Sequence, residues 1–301
     1  MLSCNGFVWV GSKSLNLMHP RRLCSALPGA ALMFALLLSG PPAHADGTTT
    51  VVTKYELSIA GISLASFKFF SDFDSRGYSI SGRGDSSRLV ELIAKFEGST
   101  KSAGAFAGLN VLPASYRLSF LSGNRNQSVE MHFSNDTVDK LAVDPPQSPS
   151  AARVPIKPAH RTGVLDPLSA VLLPLPKGEL DGNSVCDRRL PIFDGRHRYD
   201  LVFSYKRTET APVAGKPQER TSLFVCKIKY NPIAGHKPQV NSTLYWQNSE
   251  DIEIWLAPVT SAGMLVPYRA MLPTPIGSAV LSLSKIKISK KQQQAAISPA
   301  G

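Results

Sequence analysis

Past residue 50 the apolar positions recur at every second residue. In "TKYELSIAGISLASFKFF" Tyr55, Leu57 and Ile59 alternate with polar neighbours, and Ile62 and Leu64 resume the pattern beyond Ala60-Gly61. A period of two puts every apolar side chain on one face of an extended strand, and the small break between the runs is a hairpin signal. "GYSISGRGD" continues it with Tyr78 and Ile80. "PASYRLSFLSGNRNQSVEMHFSNDTVDKLAV" adds three strands divided at Gly123-Asn124 and Asn135-Asp136, residue types that tolerate the positive φ of tight turns. Further strands are expected in "RYDLVFSYKR", "SLFVCKIKYN", "STLYWQN", "DIEIWLAPV", "MLVPYRAML" and "GSAVLSLSKIKIS". About a dozen short strands joined by turns make the chain all-β, either a curved antiparallel sheet or a partly open β-barrel. One or two short helices are expected. "SSRLVELIAKF" suits an amphipathic turn. In "LDPLSAVLLPLP" Asp166 is an N-cap, Pro167 occupies the first helical position and Pro174 stops the run.

The amino-terminal segment departs from this pattern. "MHPRRLCSALPGAALMFALLLSGPPAHA" carries Arg21 and Arg22, an apolar run from Ala26 to Leu38, and Ala43-His44-Ala45 at its end. That is the layout of a secretory signal peptide over residues 1–45, cleaved after Ala45. The apolar run is broken by Pro28-Gly29 and is short of the about 20 residues of a spanning helix, so no transmembrane helix is expected in the mature chain. Residues 46–288 are expected to form one barrel-like domain. The proline-rich segment 144–163, "DPPQSPSAARVPIKPAHRTG", either separates two β subdomains or crosses one barrel to join its halves. The polar tail 289–301 is expected to be disordered.

Export changes the chemistry. The full chain carries a net charge of +11, and the leader removes three basic residues and no acid, leaving about +8. Such a charge favours anionic membrane surfaces. Nucleic acid is disfavoured, because the basic residues are dispersed and form no stripe. Only Cys186 and Cys226 remain after the leader. In an oxidising compartment the pair is most simply a disulfide, closing a loop of roughly 40 residues worth roughly 4 kcal/mol in the chain-entropy picture. A metal site would need further Cys or His nearby, and a redox pair the tighter C-x-x-C spacing.

The densest stretch of polar chemistry is "SVCDRRLPIFDGRHRYDL", Ser184 to Leu201. Asp194-Gly195 is a hairpin turn signal, and alternation on both sides explains most of the remaining positions. Alternatively, Asp194, Arg196, His197 and Arg198 stand at the mouth of a cavity, where guanidinium groups would grip a carboxylate or phosphate. Arg153 and Arg161 of the proline-rich segment and His236 of "PIAGHKP" would extend such a clamp. On that reading, replacing Arg196 and Arg198 together by alanine leaves folding intact and abolishes binding of an anionic lipid. The exported histidines His132, His160, His197 and His236 lack metal-site spacing, so neither a metal nor a cofactor is expected. No nucleophile elbow, zincin, P-loop or Rossmann motif is present, and no catalytic residue is assigned. The Arg-Gly-Asp triplet in "SGRGDSS" is too short to signify adhesion.

Six phrases taken in order carry a family resemblance: "YELSIAGISLASF", "GVLDPLSAVL", "CDRRLPIFDGRHRYDL", "FVCKIKYNPIAGH", "IWLAPV" and "VPYRAMLPTPIG". The chain resembles exported alphaproteobacterial proteins of the domain-of-unknown-function 3108 family. That resemblance implies a Gram-negative envelope protein built on a curved antiparallel sheet, and it brings no catalytic residues. Two functional classes follow. One is a periplasmic module that shelters a lipid or other anionic amphiphile in a concave apolar face. The other is an envelope-integrity factor, with a filled interior, that acts through contacts with another envelope protein. Interior volume separates them. A hydrolase is a distant third, requiring clustered Asp, His and Ser with shifted pKa values.

Overall fold

Alternation becomes a sheet because every strand of the first half offers one apolar face to the same interior. The computed structural model describes residues 47–91 and 96–291, which fall in one compact unit. The first half is an up-and-down meander: β1 (Thr48–Ile59), β2 (Ile62–Asp74), β3 (Gly77–Ser86), β4 (Phe96–Ala107), β5 (Asn110–Ser122), β6 (Arg125–Ser134) and β7 (Thr137–Asp144). Its register aligns one inward row, Val51–Ser71–Ile80–Ser102–Tyr116–Met131–Leu141. Most of that row is buried. Two-residue turns close the β1–β2 and β6–β7 hairpins, with positive φ at Ala60 (48°) and Gly61 (82°), and at Asn135 (48°) and Asp136 (60°). Such pairs match the right-handed twist of the strands they join. The glycines of "SGRGD" have a packing cause. Phe69 and Phe67 on β2 lie opposite Gly82 and Gly84, and a Cβ at either glycine would meet the facing ring at 2.5 Å.

The second half contains β8 (Leu173–Pro174), β9 (Arg188–Phe193), β10 (Arg198–Val213), β11 (Lys216–Ala234), β12 (Glu253–Val259), β13 (Met264–Leu272) and β14 (Ala279–Lys291). All fourteen strands belong to one antiparallel sheet ordered β7-β6-β5-β4-β3-β2-β1-β14-β13-β12-β11-β10-β9, with β8 on β13. The sheet does not close, so the all-β architecture expected from alternation, a curved antiparallel sheet or partly open barrel, is found as an open antiparallel sheet. Its two end strands are both met by the segment that follows β7. Thr162 bridges to Thr137 of β7, and Leu165 pairs with Ile192 of β9. Leu165 N donates to the Pro191 carbonyl at 2.7 Å, and Phe193 N donates to the Leu165 carbonyl at 2.9 Å. Backbone that would otherwise stand as unpaired edge is thereby partly satisfied.

Short helices are α1 (Arg88–Glu91), α2 (Gly182–Cys186) and α3 (Asn241–Gln247). Four expectations need correction. "STLYWQN" is helical, not extended: Val240, Thr243 and Trp246, three apart, line one pocket together. A strand would have sent alternate residues to opposite faces. "LDPLSAVLLPLP" makes only a 3₁₀ turn, Ser169–Val171, because Leu173-Pro174 is drawn extended against Met264 and Leu265. The β9–β10 connection is longer than a two-residue Asp-Gly turn, since Phe193 pairs with Arg198 and leaves residues 194–197 in the loop. Finally, β14 runs to Lys291, opposite Thr48, so the first three residues of the expected tail are strand. The leader, the end of "SSRLVELIAKF" between 92 and 95, and residues 292–301 lie outside the described residues.

Cys186, at the end of α2, is bonded to Cys226 in the middle of β11, with the two Cα atoms 5.5 Å apart. Both are fully buried, among Val185, Phe203, Phe224, Leu256 and Leu265.

Candidate functional site

Among the cavities of the described residues, two are walled mainly by apolar and aromatic side chains of the sheet. The first lies on the concave face of β1–β5, β13 and β14 and measures about 280 Å³. Val51 and Tyr55 of β1, Phe69 and Phe73 of β2, and Tyr116 and Leu118 of β5 form much of its wall. Pro167, Leu168, Val171 and Leu172 close it from the connecting segment, and Met264–Pro267 complete it. The few polar side chains at this surface are Thr53, Ser71, Thr100 and the tyrosine hydroxyls. Tyr55 donates across to the Pro267 carbonyl at 2.9 Å.

The connecting segment keeps its own polar groups away from this apolar space. Asp166 is 0% exposed and has no cationic partner. Its Oδ1 accepts from the backbone N–H of Leu168 and of Ser169, both at 2.9 Å, and its Oδ2 accepts from the hydroxyls of Ser102 (3.1 Å) and Ser169. Tyr78 joins through Ser169 Oγ at 2.7 Å. Burial raises the Asp166 pKa above the usual carboxylate value although these donors oppose it, and burial pushes the Tyr78 hydroxyl up to about 12. The network is internally satisfied and sealed, so it holds the turn and offers nothing to a solute.

The second cavity, about 580 Å³, lies beneath α3. Leu201, Ile228, Ile252 and Leu272 give it an apolar floor, and Tyr199, Tyr230 and Trp246 give it aromatic walls. The Tyr199 and Tyr230 centroids are 5.4 Å apart, and the Trp246 ring stands edge-on to Tyr230 at 6.4 Å. Its polar groups are Asp194, His197, His236, Lys237, Ser242 and Thr243. Asp194 is committed locally. Oδ1 accepts from Arg196 N (2.8 Å) and His197 N (2.6 Å), and Oδ2 is 3.2 Å from His197 Nδ1. His236 Nδ1 is buried with no hydrogen-bond partner. Burial lowers the His236 pKa, a backbone hydrogen bond at Ala234 opposes that, and the nearby imidazole of His197 adds to the lowering.

The structure therefore divides the residues singled out in the sequence. Asp194, His197 and His236 meet in the second cavity. The four arginines are engaged elsewhere. Arg196 donates to the Pro145 carbonyl at 2.9 Å, and Arg198 donates to the Tyr199 carbonyl (2.7 Å) and to Asp200 Oδ1 (2.6 Å). Arg153 donates to the Gly235 carbonyl, with its Nε buried and unpartnered, and Arg161 lies 6.0 Å from the Phe193 ring centre. Sequence reasoning does not reach Tyr199, Tyr230, Trp246 and Lys237 as pocket walls, nor the bonds that tie the expected N-cap Asp166 to Ser102 and, through Ser169, to Tyr78. Helical spacing at Val240, Thr243 and Trp246 was the available signal for the roof. Among the described residues no group of three His, Cys, Asp or Glu side chains is placed to hold a metal. No helix among them is long and apolar enough to cross a membrane.

Comparison with known proteins yields a family, without a chemistry. No curated protein matches the chain. A similar solved structure is the β-barrel-like protein of domain of unknown function DUF1849 from Brucella abortus, 10% identical with a TM-score of 0.48, the match covering 80% of this chain and 98% of that one. The family model described as "Protein of unknown function (DUF3108)" matches residues 54–284, nearly the whole of the sheet, and the chain belongs to that family.

Proposed function

We propose that this protein is a non-catalytic binding module of the Gram-negative cell envelope, exported to the periplasm, that shelters the hydrocarbon part of an amphiphile on its concave face. The observation that carries this reading is the apolar interior cavity of about 280 Å³. Small-molecule sites are clefts or cavities of roughly 300 to 1,000 Å³ lined mainly by apolar side chains. A cavity near the lower bound suits a single chain. The signal peptide and the basic charge of the exported chain support the compartment. A filled interior would have favoured the contact role instead.

The test is retention of lipid. Protein purified gently from envelopes should carry a bound amphiphile by native mass spectrometry, and should bind an uncharged naphthylamine probe that fluoresces in apolar surroundings. Ser71 lines the cavity, so Ser71→Phe should fill the space and weaken the probe at least tenfold. A variant that melts like the native protein and binds the probe equally well would overturn the reading.

A further inference from the structure

We propose that the cavity beneath α3 is a second binding site, taking an amphiphile with a carboxylate or phosphate headgroup that meets the charge of Lys237 and hydrogen bonds from the imidazoles of His197 and His236. The site is separate from the interior cavity. No residue lines both.

Three observations support it. First, positive and polar capacity is left over on this wall. Lys237 lines the cavity and forms no ion pair, although most other charged groups of the region are paired: Arg189 and Arg198 with Asp200, Lys206 and Arg207 with Glu253, Lys229 with Glu250. His236 Nδ1 is buried without a hydrogen-bond partner, so its bonding capacity is unspent. Second, the single acid present does not oppose an anion in a simple way. Asp194 spends Oδ1 on two backbone N–H groups and Oδ2 on His197 Nδ1, which orients that ring and leaves Nε2 without a protein partner. Third, much of the remaining surface is apolar. Leu201, Ile228, Ile252 and Leu272 supply room for a chain, with Trp246 over it. Polar groups gathered on an apolar pocket are the usual anatomy of an amphiphile site.

Trp246 lines the cavity, whereas the other exported tryptophan, Trp255, is packed away from it against Leu223, Val225 and Ala257. Titration followed by tryptophan emission thus reads this site. Dodecyl phosphate and dodecanoate should change the emission and bind at least tenfold more tightly than dodecanol or dodecyltrimethylammonium. The response should vanish in Trp246→Phe, and the tenfold preference should vanish in Lys237→Ala combined with His236→Gln. Should the double variant fail to fold, Lys237→Ala alone, at an exposed position, should lose several-fold for the anions and nothing for dodecanol. Ser71→Phe should leave the response intact, so failure of the interior cavity and failure of this site give different results. Equal binding of all four probes, or tighter binding of the ammonium, overturns the proposal. Saturation by inorganic phosphate alone overturns the amphiphile in favour of a free anion.

Discussion

The two cavities differ in how their polar groups are used. Beside the interior cavity the buried polar side chains of the closing segment are bonded within the protein: Asp166 accepts four hydrogen bonds, and Ser102, Ser169 and Tyr78 complete the set. Beneath α3 the accounts stay open, with Lys237 unpaired and His236 Nδ1 unmet. Buried acids elsewhere sharpen the contrast. Asp200 and Glu253, 1% and 4% exposed, each have two cations, while Asp166 relies on neutral donors alone. The lesson is that a polar residue beside a cavity signifies a ligand only when its bonding capacity is unfilled. By that criterion the first cavity is an apolar space beside a structural network, and the second holds the unspent groups proposed to meet a headgroup.

The largest effect expected is at the disulfide. Cys226 and Ile228 on β11 share a core cluster with Ile252, and both isoleucines line the second cavity. Cys186→Ala with Cys226→Ala should lower stability by roughly 4 kcal/mol. Amide exchange should rise more in β9–β12 than in β1–β5. Equal loss of protection across all strands would show that the two regions unfold as one and would remove the basis for treating them separately.

Next comes the network beside the interior cavity. Asp166→Ala orphans two buried N–H groups and two hydroxyls and should cost roughly 2–4 kcal/mol in denaturant unfolding. Its pH dependence has a definite sign. The folded pKa is raised by burial, so the contribution of Asp166 to stability is fully present below its unfolded value of 3.8 and is lost as pH rises through the higher folded value. The stability advantage of the native protein over Asp166→Asn, which cannot ionise, should therefore shrink from pH 4 upward. An advantage that grows with pH would mean that the hydrogen bonds outweigh burial.

How much of this was legible in the sequence follows from the range of the interactions. Alternation of period two gave the strands of the meander, because each inward residue of β1–β7 faces a single interior and the hairpins join sequence neighbours. Asp166 was read as a capping acid, and it does accept from Leu168 N and Ser169 N. Its capture of Ser102, 64 residues away, was not visible, since no local pattern encodes which strand the segment will cross. For the same reason α3 was misread. Seven residues that fit either period are decided by Trp246 reaching the Pro273 carbonyl (3.4 Å) and by the pocket floor they cover. Clusters of charge in sequence were the weakest guide. Arg196, His197 and Arg198 are consecutive, yet only His197 faces the cavity.

The smallest effects belong to those arginines, and they separate a clamp from a brace. A clamp predicts that alanine at both positions leaves stability unchanged and abolishes anion binding. The observed bonds predict the reverse. Arg198 is one of two guanidiniums on the buried Asp200, and the other, Arg189, remains when Arg198 is removed. Arg198→Ala should then cost about 1 kcal/mol, well below the 3–5 kcal/mol of a fully orphaned buried charge. Arg196→Ala loses one solvent-facing hydrogen bond to the Pro145 carbonyl and should cost about 0.5 kcal/mol. Neither change should alter the Trp246 response to dodecyl phosphate beyond twofold. If the double variant melts with the native protein but loses the ligand, the guanidiniums reach the headgroup and the bonded-versus-unspent criterion fails where it was applied most directly.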